Sequence, residues 1–407
     1  MAAARQPAQA VEPDGLTQLV FALDRAAEAG DAQAIRARID TDVRPALVSE
    51  FVQALTFPRA TQSAVKERDR AALPDGSGVR LLLETFTERG GEGRVASWRL
   101  DTRPGDAGAP WTIANIERLT VVNGLFRLAL DTTTEYDVQN LVVRAPDLTL
   151  TLPRGSAFVS RAPDGPTAVV LLGRGRMEFA PRQEAERGQL RIFSGSEVLN
   201  ADFNAAFFRV NPGEFDFRFD AAALKPRPAD PGHARRAAQV FDDYVSRSFQ
   251  IDLNDLSTSD WSLVPSLGDV VAEVVTSRFG ALTYARSGSE PEDISFFERR
   301  RHRNIAVYTS ADKLAARGRF FSEDDRVEYD ITNYEVEASF APERSWVEGT
   351  ARLSLRTRNP YVSTVTVRLA EPLVVRSVSS PQLGRLLHLR VVGQNNVLIG
   401  FPSTIVS

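Results

Sequence analysis

The chain opens on a helical period. Leu16, Leu19, Val20, Leu23, Ala26 and Ala27 recur at i, i+3, i+4 and i+7, which sets them on one stripe of an amphipathic helix. Gly30-Asp31 interrupts the stripe, and Asp31 is placed to cap a second, short helix. Leu47, Val48, Phe51, Val52 and Leu55 form a third stripe behind Pro45, a residue tolerated in a first helical turn. From about Val79 the period drops to two. Leu81, Leu83 and Thr85 alternate with Arg80, Leu82 and Glu84, then Ala96, Trp98 and Leu100 with Ser97 and Arg99, and a run from Trp111 to Val122 comes next. Turn-rich pieces, Arg89–Gly93 and Pro104–Pro110, lie between them. Helices followed by long antiparallel strands predict an α+β domain over residues 15–122, behind a disordered leader over 1–14.

Strand and turn patterns fill residues 124–222. Leu148, Leu150 and Leu152 alternate with Thr149 and Thr151, Asp164-Gly165 suits a hairpin turn, and Phe215, Phe217 and Phe219 alternate with Asp216 and Arg218. Lys225–Gly232 (KPRPADPG) reads as a linker or rigid turn. A helix near 234–249 carries Ala237, Val240, Phe241, Tyr244 and Val245 on one stripe, and strands resume near Val270, Leu282 and Ile305. The expectation is a β-rich accessory domain over 123–325, built as a β-sandwich or curved antiparallel sheet. The fold class is mainly β with an N-terminal α+β part.

Composition narrows the chemistry. Hydrophobic residues make up 43% and charged residues 25%, as in a globular chain, so wholesale disorder is excluded. A net charge of −4 does not mark a binder of nucleic acid. Lys66, Lys225 and Lys313 are the only lysines among 49 basic residues, a bias read first as genomic base composition. The absence of cysteine excludes disulfides, thiolate metal sites and thiol nucleophiles. No run approaches the roughly 20 apolar residues of a membrane helix. Met1–Val11 (MAAARQPAQAV) lacks the apolar core of a signal peptide and is similar to the mature start left by cleavage at an A-x-A site. The expected location is periplasmic or secreted, and otherwise cytoplasmic.

Candidate motifs resolve into ordinary structure. His233, His302 and His388 are far apart and belong to no H-E-x-x-H or H-x-H pattern, so they read as solvated or structural. Gly173-Arg174-Gly175-Arg176 lacks the third glycine and following helix of a dinucleotide site and reads as a β-turn. Phe193-Ser194-Gly195-Ser196-Glu197 lacks the flanking glycines of a nucleophile elbow and reads as a loop. Arg299-Arg300-Arg301-His302-Arg303 comes after Glu290, Glu292, Asp293 and Glu298, so internal charge pairing is expected. Asp252, Asn254, Asp255 and Asp260 lack calcium-loop spacing and read as a turn with capping carboxylates; Glu323, Asp324 and Asp325 read as a solvated loop. No catalytic, cofactor-binding or metal-binding residue is assigned.

Two stretches carry resemblances. Trp98-Arg99-Leu100 with Pro110-Trp111-Thr112-Ile113, after three helices, is similar to the cone-shaped NTF2-like fold over residues 15–122. From Val327 the chain reads as strands: Tyr334, Val336 and Ala338; a turn at Pro342; Trp346–Gly349 leading into Ala351, Leu353 and Leu355; Val365, Val367 and Leu369; Leu373, Val375 and Val378; then Val397 and Ile399. Tyr334, Gly349, Leu355, Leu369 and Ser377-Val378 fall in an order that resembles the start of the N-terminal β-domain of M1-family zinc aminopeptidases. That family's H-E-x-x-H zinc motif and G-x-M-E-N substrate motif are absent, so no functional residue carries over. The last strand ends near Gly400-Phe401-Pro402 as an interior strand would, so residues 326–407 are expected to be an incomplete β-domain. The resemblance implies the non-catalytic N-terminal portion of a zinc metallopeptidase, in a substrate-access or docking role. Zinc would belong to a separate catalytic domain, and a peptide or protein would be the substrate. A self-contained β-rich ligand- or protein-binding scaffold is the alternative. An enzyme acting through the N-terminal cone is a third reading, disfavoured because residues 15–122 lack histidine.

Overall fold

A computed structural model describes residues 14–56, 60–105, 109–220, 223–288, 290, 292–317, 329–357, 362–370, 372–392 and 395–405. Residues 1–13 of the expected leader 1–14, Glu323-Asp324-Asp325 and the start of the last segment at Val327 lie outside the described residues, whereas Asp14 is ordered as the cap of the first helix. Strand outweighs helix, 53% to 21%, so the fold is mainly β with several antiparallel sheets and a short helical N-terminal part.

The N-terminal part runs α1 (Gly15–Glu28), α2 (Ala32–Arg36), α3 (Pro45–Thr56), β1 (Gln62–Ala72), β2 (Val79–Arg89), β3 (Glu92–Arg103) and β4 (Thr112–Phe126). The carboxylates of Asp14 and Asp31 cap α1 and α2 by accepting the free N–H groups of their first turns. The apolar stripes of α1 and α3 pack on Leu81, Leu83, Trp98, Leu100 and Ile113. Phe51 and Trp98, both fully buried, meet edge-on at 5.0 Å and fill the space between helices and sheet. Burial of each such side chain contributes roughly 1.5–3 kcal/mol.

The middle part comprises β5 (Thr134–Ala145), β6 (Leu148–Ala162), β7 (Gly165–Phe179), α4 (Glu184–Ser194), β8 (Leu199–Val210), α5 (Phe215–Arg218), β9 (Leu224–Pro228) and α6 (Pro231–Val245). It continues through β10 (Gln250–Asp252), β11 (Trp261–Ser262), β12 (Val270–Thr276), β13 (Gly280–Arg286), β14 (Ile294–Glu298), β15 (Arg303–Tyr308) and α7 (Ala311–Arg317). Nine strands form one antiparallel sheet in the order β15-β14-β13-β12-β8-β7-β6-β5-β9. One face packs around Phe179, Leu190, Phe208, Phe219 and Phe296. The other face packs Phe158, Val170 and Phe207 against Ala237, Val240 and Phe241 of α6.

The last part holds β16 (Tyr329–Ala341), β17 (Trp346–Thr357), β18 (Val362–Arg368), β19 (Val378–Ser380), β20 (Gly384–Val392) and β21 (Asn396–Ile405). β18, β20 and β21 extend the N-terminal sheet through β10 and β11, in the order β1-β2-β3-β4-β11-β10-β20-β21-β18, and β19 pairs with β20. That sheet therefore draws strands from all three parts of the chain. β16 and β17 stand apart as a two-stranded ribbon.

Several expectations need correction. Phe215–Arg218 is a helical turn, not a strand: Asn211 caps the turn at Pro212, and Phe215 and Phe219, four residues apart, stack at 4.9 Å while Phe217 points to solvent. KPRPADPG is not a linker, because Leu224–Pro228 is edge strand β9 along β5. Pro226 and Pro228, two residues apart, turn their N–H-less nitrogens to the same side, which an outer edge tolerates. The Gly173–Arg176 stretch is not a turn but a bulge inside β7, with Gly173 at φ +145° and a register shift between Leu172 and Gly175. A Cβ on Gly175 would meet the Phe203 ring at 2.3 Å. Residues 184–194 form a helix in a region expected to be strand, so Phe193-Ser194 end α4 and Gly195 is its left-handed cap. The helix near 234–249 spans 231–245, the charged stretch Gln62–Ala72 is strand β1, and Leu373 and Val375 precede a strand shortened to Val378–Ser380.

Candidate functional site

The three histidines do not converge. His233 begins α6, His302 sits in the β14–β15 turn at φ +49°, and His388 lies on β20. Among the described residues no group of three or more His, Asp or Glu side chains is placed to hold a metal ion. No helix there is long and apolar enough to cross a membrane.

His233 nevertheless joins a buried polar cluster around Glu135. Glu135 on β5 is fully buried. Its carboxylate accepts from Ser156 Oγ at 2.5 Å, Arg227 Nη2 at 2.5 Å, the Asp230 N–H at 2.8 Å and His233 Nδ1 at 2.9 Å. Local sequence explains the convergence: β9 runs along β5, then Asp230 caps α6 and turns the His233 ring back over the strand. Burial pushes the Glu135 carboxyl up, but donation from Ser156, Arg227, Asp230 and His233 outweighs it and holds the group down at about 2.

Serine, histidine and glutamate in contact invite comparison with a nucleophilic triad, and the proton positions rule it out. An ionised carboxylate only accepts, so Nδ1 of His233 must carry the proton it directs at Glu135. Ser156 Oγ lies 3.3 Å from that same nitrogen and gives its own proton to Glu135. No ring lone pair is available to take the serine proton, as a general base must. The cluster is a structural lock that ties β9 and the start of α6 to β5.

A second polar group gathers at the other end of the same sheet. Burial raises the Asp147 carboxyl, which accepts the Tyr308 hydroxyl at 2.8 Å, and burial together with Glu292 raises Glu186 on α4. The Asp147 side chain is 6% exposed, which leaves no approach for a substrate. Two open recesses lie at the surface: one of ≈ 380 Å³ lined by Arg44, Glu50, Glu117 and Arg118, in which Glu50 pairs with Arg118, and one of ≈ 330 Å³ beside Tyr136 and Pro212.

The remaining motifs land on structural contacts. Arg299 pairs with the fully buried Glu273 on β12, and Arg301 reaches Glu298 at 3.9 Å. Asp252 accepts from the Asn254 N–H in a turn, and Asp255 holds Arg68 through both oxygens.

Several exposed large apolar side chains gather on the β16–β17 ribbon. Its register pairs Tyr334 with Leu353, Val336 with Ala351, Ala338 with Gly349 and Phe340 with Val347. Directly paired residues project to one side and successive residues alternate, so these eight positions share one face, all of them apolar. Tyr334, Val336 and Phe340 are 56%, 67% and 73% exposed. The opposite face is charged along most of its length and ends at the Ala341–Trp346 pair: Glu335 pairs with Arg352 at 3.2 Å, and Glu348 pairs with Arg376 from the loop before β19. Gly349 is needed where the strands approach, because a Cβ there would meet the Glu337 carbonyl at 2.4 Å. The alternation was legible in the sequence; the exposure of the face was not. Compared with known proteins, the chain matches no family model, no curated protein and no solved structure.

Proposed function

We propose that this chain is the non-catalytic, β-rich accessory region of an M1-like zinc metallopeptidase, with the β16–β17 ribbon as the surface on which the rest of the peptidase docks. One observation carries the reading. The ribbon with the exposed apolar face is the strand pair whose Tyr334, Gly349 and Leu355 resemble the opening of the M1 β-domain. A face of eight apolar positions standing free in water is the kind that protein partners cover. The polar clusters are consumed by internal pairing, which suits an accessory rather than a catalytic role. The peptide-cleaving chemistry belongs to the docked domain, and no step of it is assigned to residues here. Metal analysis and aminoacyl-arylamide hydrolysis on the purified chain test this reading. The expected result is no stoichiometric zinc and no hydrolysis, and one zinc per chain with arylamide turnover would overturn it.

A further inference from the structure

The recess of ≈ 330 Å³ beside Tyr136 opens where the turn after β8 packs on the nine-stranded sheet. The sheet supplies Val159 and Arg161, two residues apart on β6, and Pro166, which pairs with Arg161 from β7. The turn supplies Pro212, Phe215 and Asp216. These walls are stiff. Asn211 anchors the turn by accepting the Gly213 N–H at 2.8 Å and donating to the Pro265 carbonyl at 2.7 Å. Phe215 is 5% exposed and stacks on Phe219. Arg161 and Asp216 are the charges that line the recess, and both are exposed. Neither makes an ion pair or a hydrogen bond among the described residues, with each other or with a third group. One apolar recess thus carries two opposite charges, one on each side, and both are unpaired.

We propose that this recess binds a free α-amino acid with an apolar side chain, its carboxylate on Arg161 and its ammonium on Asp216. Charge complementarity selects the class. A carboxylate alone is attracted by Arg161 and repelled by Asp216, an amine alone the reverse, and a zwitterion satisfies both. The planar guanidinium suits a carboxylate, which it can meet with two parallel donors. Pro166, Pro212 and Phe215 offer the apolar side chain a surface. Water solvates either charge but leaves that surface uncovered, whereas the amino acid covers it. Ligand pockets run from roughly 300 to 1,000 Å³, so this volume suits one small molecule rather than a protein segment. Walls fixed before binding keep the ordering cost low. The site shares no element with the β16–β17 ribbon, so it stands or falls apart from the docking role of that ribbon. Neither charge stood out in the sequence: Arg161 precedes an ordinary hairpin turn, and Asp216 sits in an alternation that reads as a strand.

Calorimetric titration of the whole chain with L-phenylalanine reads the site. The expected result is saturable binding with a Kd of about 1 mM or tighter. Arg161→Gln and Asp216→Asn should each weaken it about tenfold or more, the loss of one charged hydrogen bond. Both side chains are exposed and unpaired, so Tm should not move in either variant. Hydrocinnamate and phenethylamine keep the ring and lose one charge each, and each should bind about tenfold more weakly than the amino acid. No saturable heat from L-phenylalanine overturns the proposal. Binding that either variant retains at native strength, or an analogue that matches the amino acid, overturns it as well.

Discussion

Glu135→Ala is expected to lower the unfolding free energy by about 3 kcal/mol, the usual cost of removing one partner from a buried charge cluster. The carboxylate is the common acceptor for Ser156, Arg227, the Asp230 N–H and His233. Without it the buried Ser156 hydroxyl loses its acceptor, a desolvation cost of roughly 1–3 kcal/mol, and the Asp230 N–H at the start of α6 loses its partner. Arg227 is half-exposed and recovers by turning to water, which keeps the sum from growing further. Glu135→Gln preserves shape and one acceptor, so its loss should be smaller, about 1–2 kcal/mol. The acid limb separates charge from shape. The folded carboxyl titrates at about 2, below its ordinary 4.5. On acidification the unfolded chain therefore binds the proton first. The stabilisation is complete above the ordinary value and lost as pH falls from about 4.5 towards 2. Urea unfolding at pH 7 and pH 3 should show the advantage of the native chain over Glu135→Gln shrinking at the lower pH. A Glu135→Ala variant within about 0.5 kcal/mol of the native chain, the range of ordinary surface changes, would contradict the lock.

Val336→Glu with Phe340→Glu is expected to abolish most hydrophobic-dye binding while leaving stability within about 0.5 kcal/mol, as for exposed sites. Both side chains stand on the free ribbon face and bury little in the chain itself. Covering each with a partner is worth roughly 1.5–3 kcal/mol, and 1.4 kcal/mol is tenfold in affinity, so the pair should weaken docking on the order of 100-fold or more. Dye fluorescence and thermal unfolding of the two chains side by side read both effects. A large fall in Tm would mean the face is packed within the chain, and unchanged dye binding would place the accessible apolar surface elsewhere.

Periodicity revealed the elements whose burial is one-sided. The stripe Leu16–Ala27 and the alternation Leu148–Leu152 needed only a helix or strand with one wet face. It misled where long-range partners decide. Phe215, Phe217 and Phe219 alternate like a strand, yet the cap at Asn211 and the stacking of Phe215 on Phe219 select a helical turn. The prolines of KPRPADPG suggested a linker because an edge position beside β5 is not encoded locally. The candidate clusters were less legible still. Glu135 lies 98 residues from His233, and Arg299 reaches the buried Glu273 on a different strand. Charge pairing was foreseeable; the partner was not, because strand order sets it.

The reading frame that encodes this chain, together with the frames flanking it, bears most directly on the proposed accessory role. Sequencing through and beyond codon 407 is predicted to find H-E-x-x-H with a downstream glutamate, either in frame or in an adjoining frame. A stop codon directly after Ser407, with no such motif in the neighbouring frames, would contradict a metallopeptidase accessory and leave a stand-alone binding scaffold.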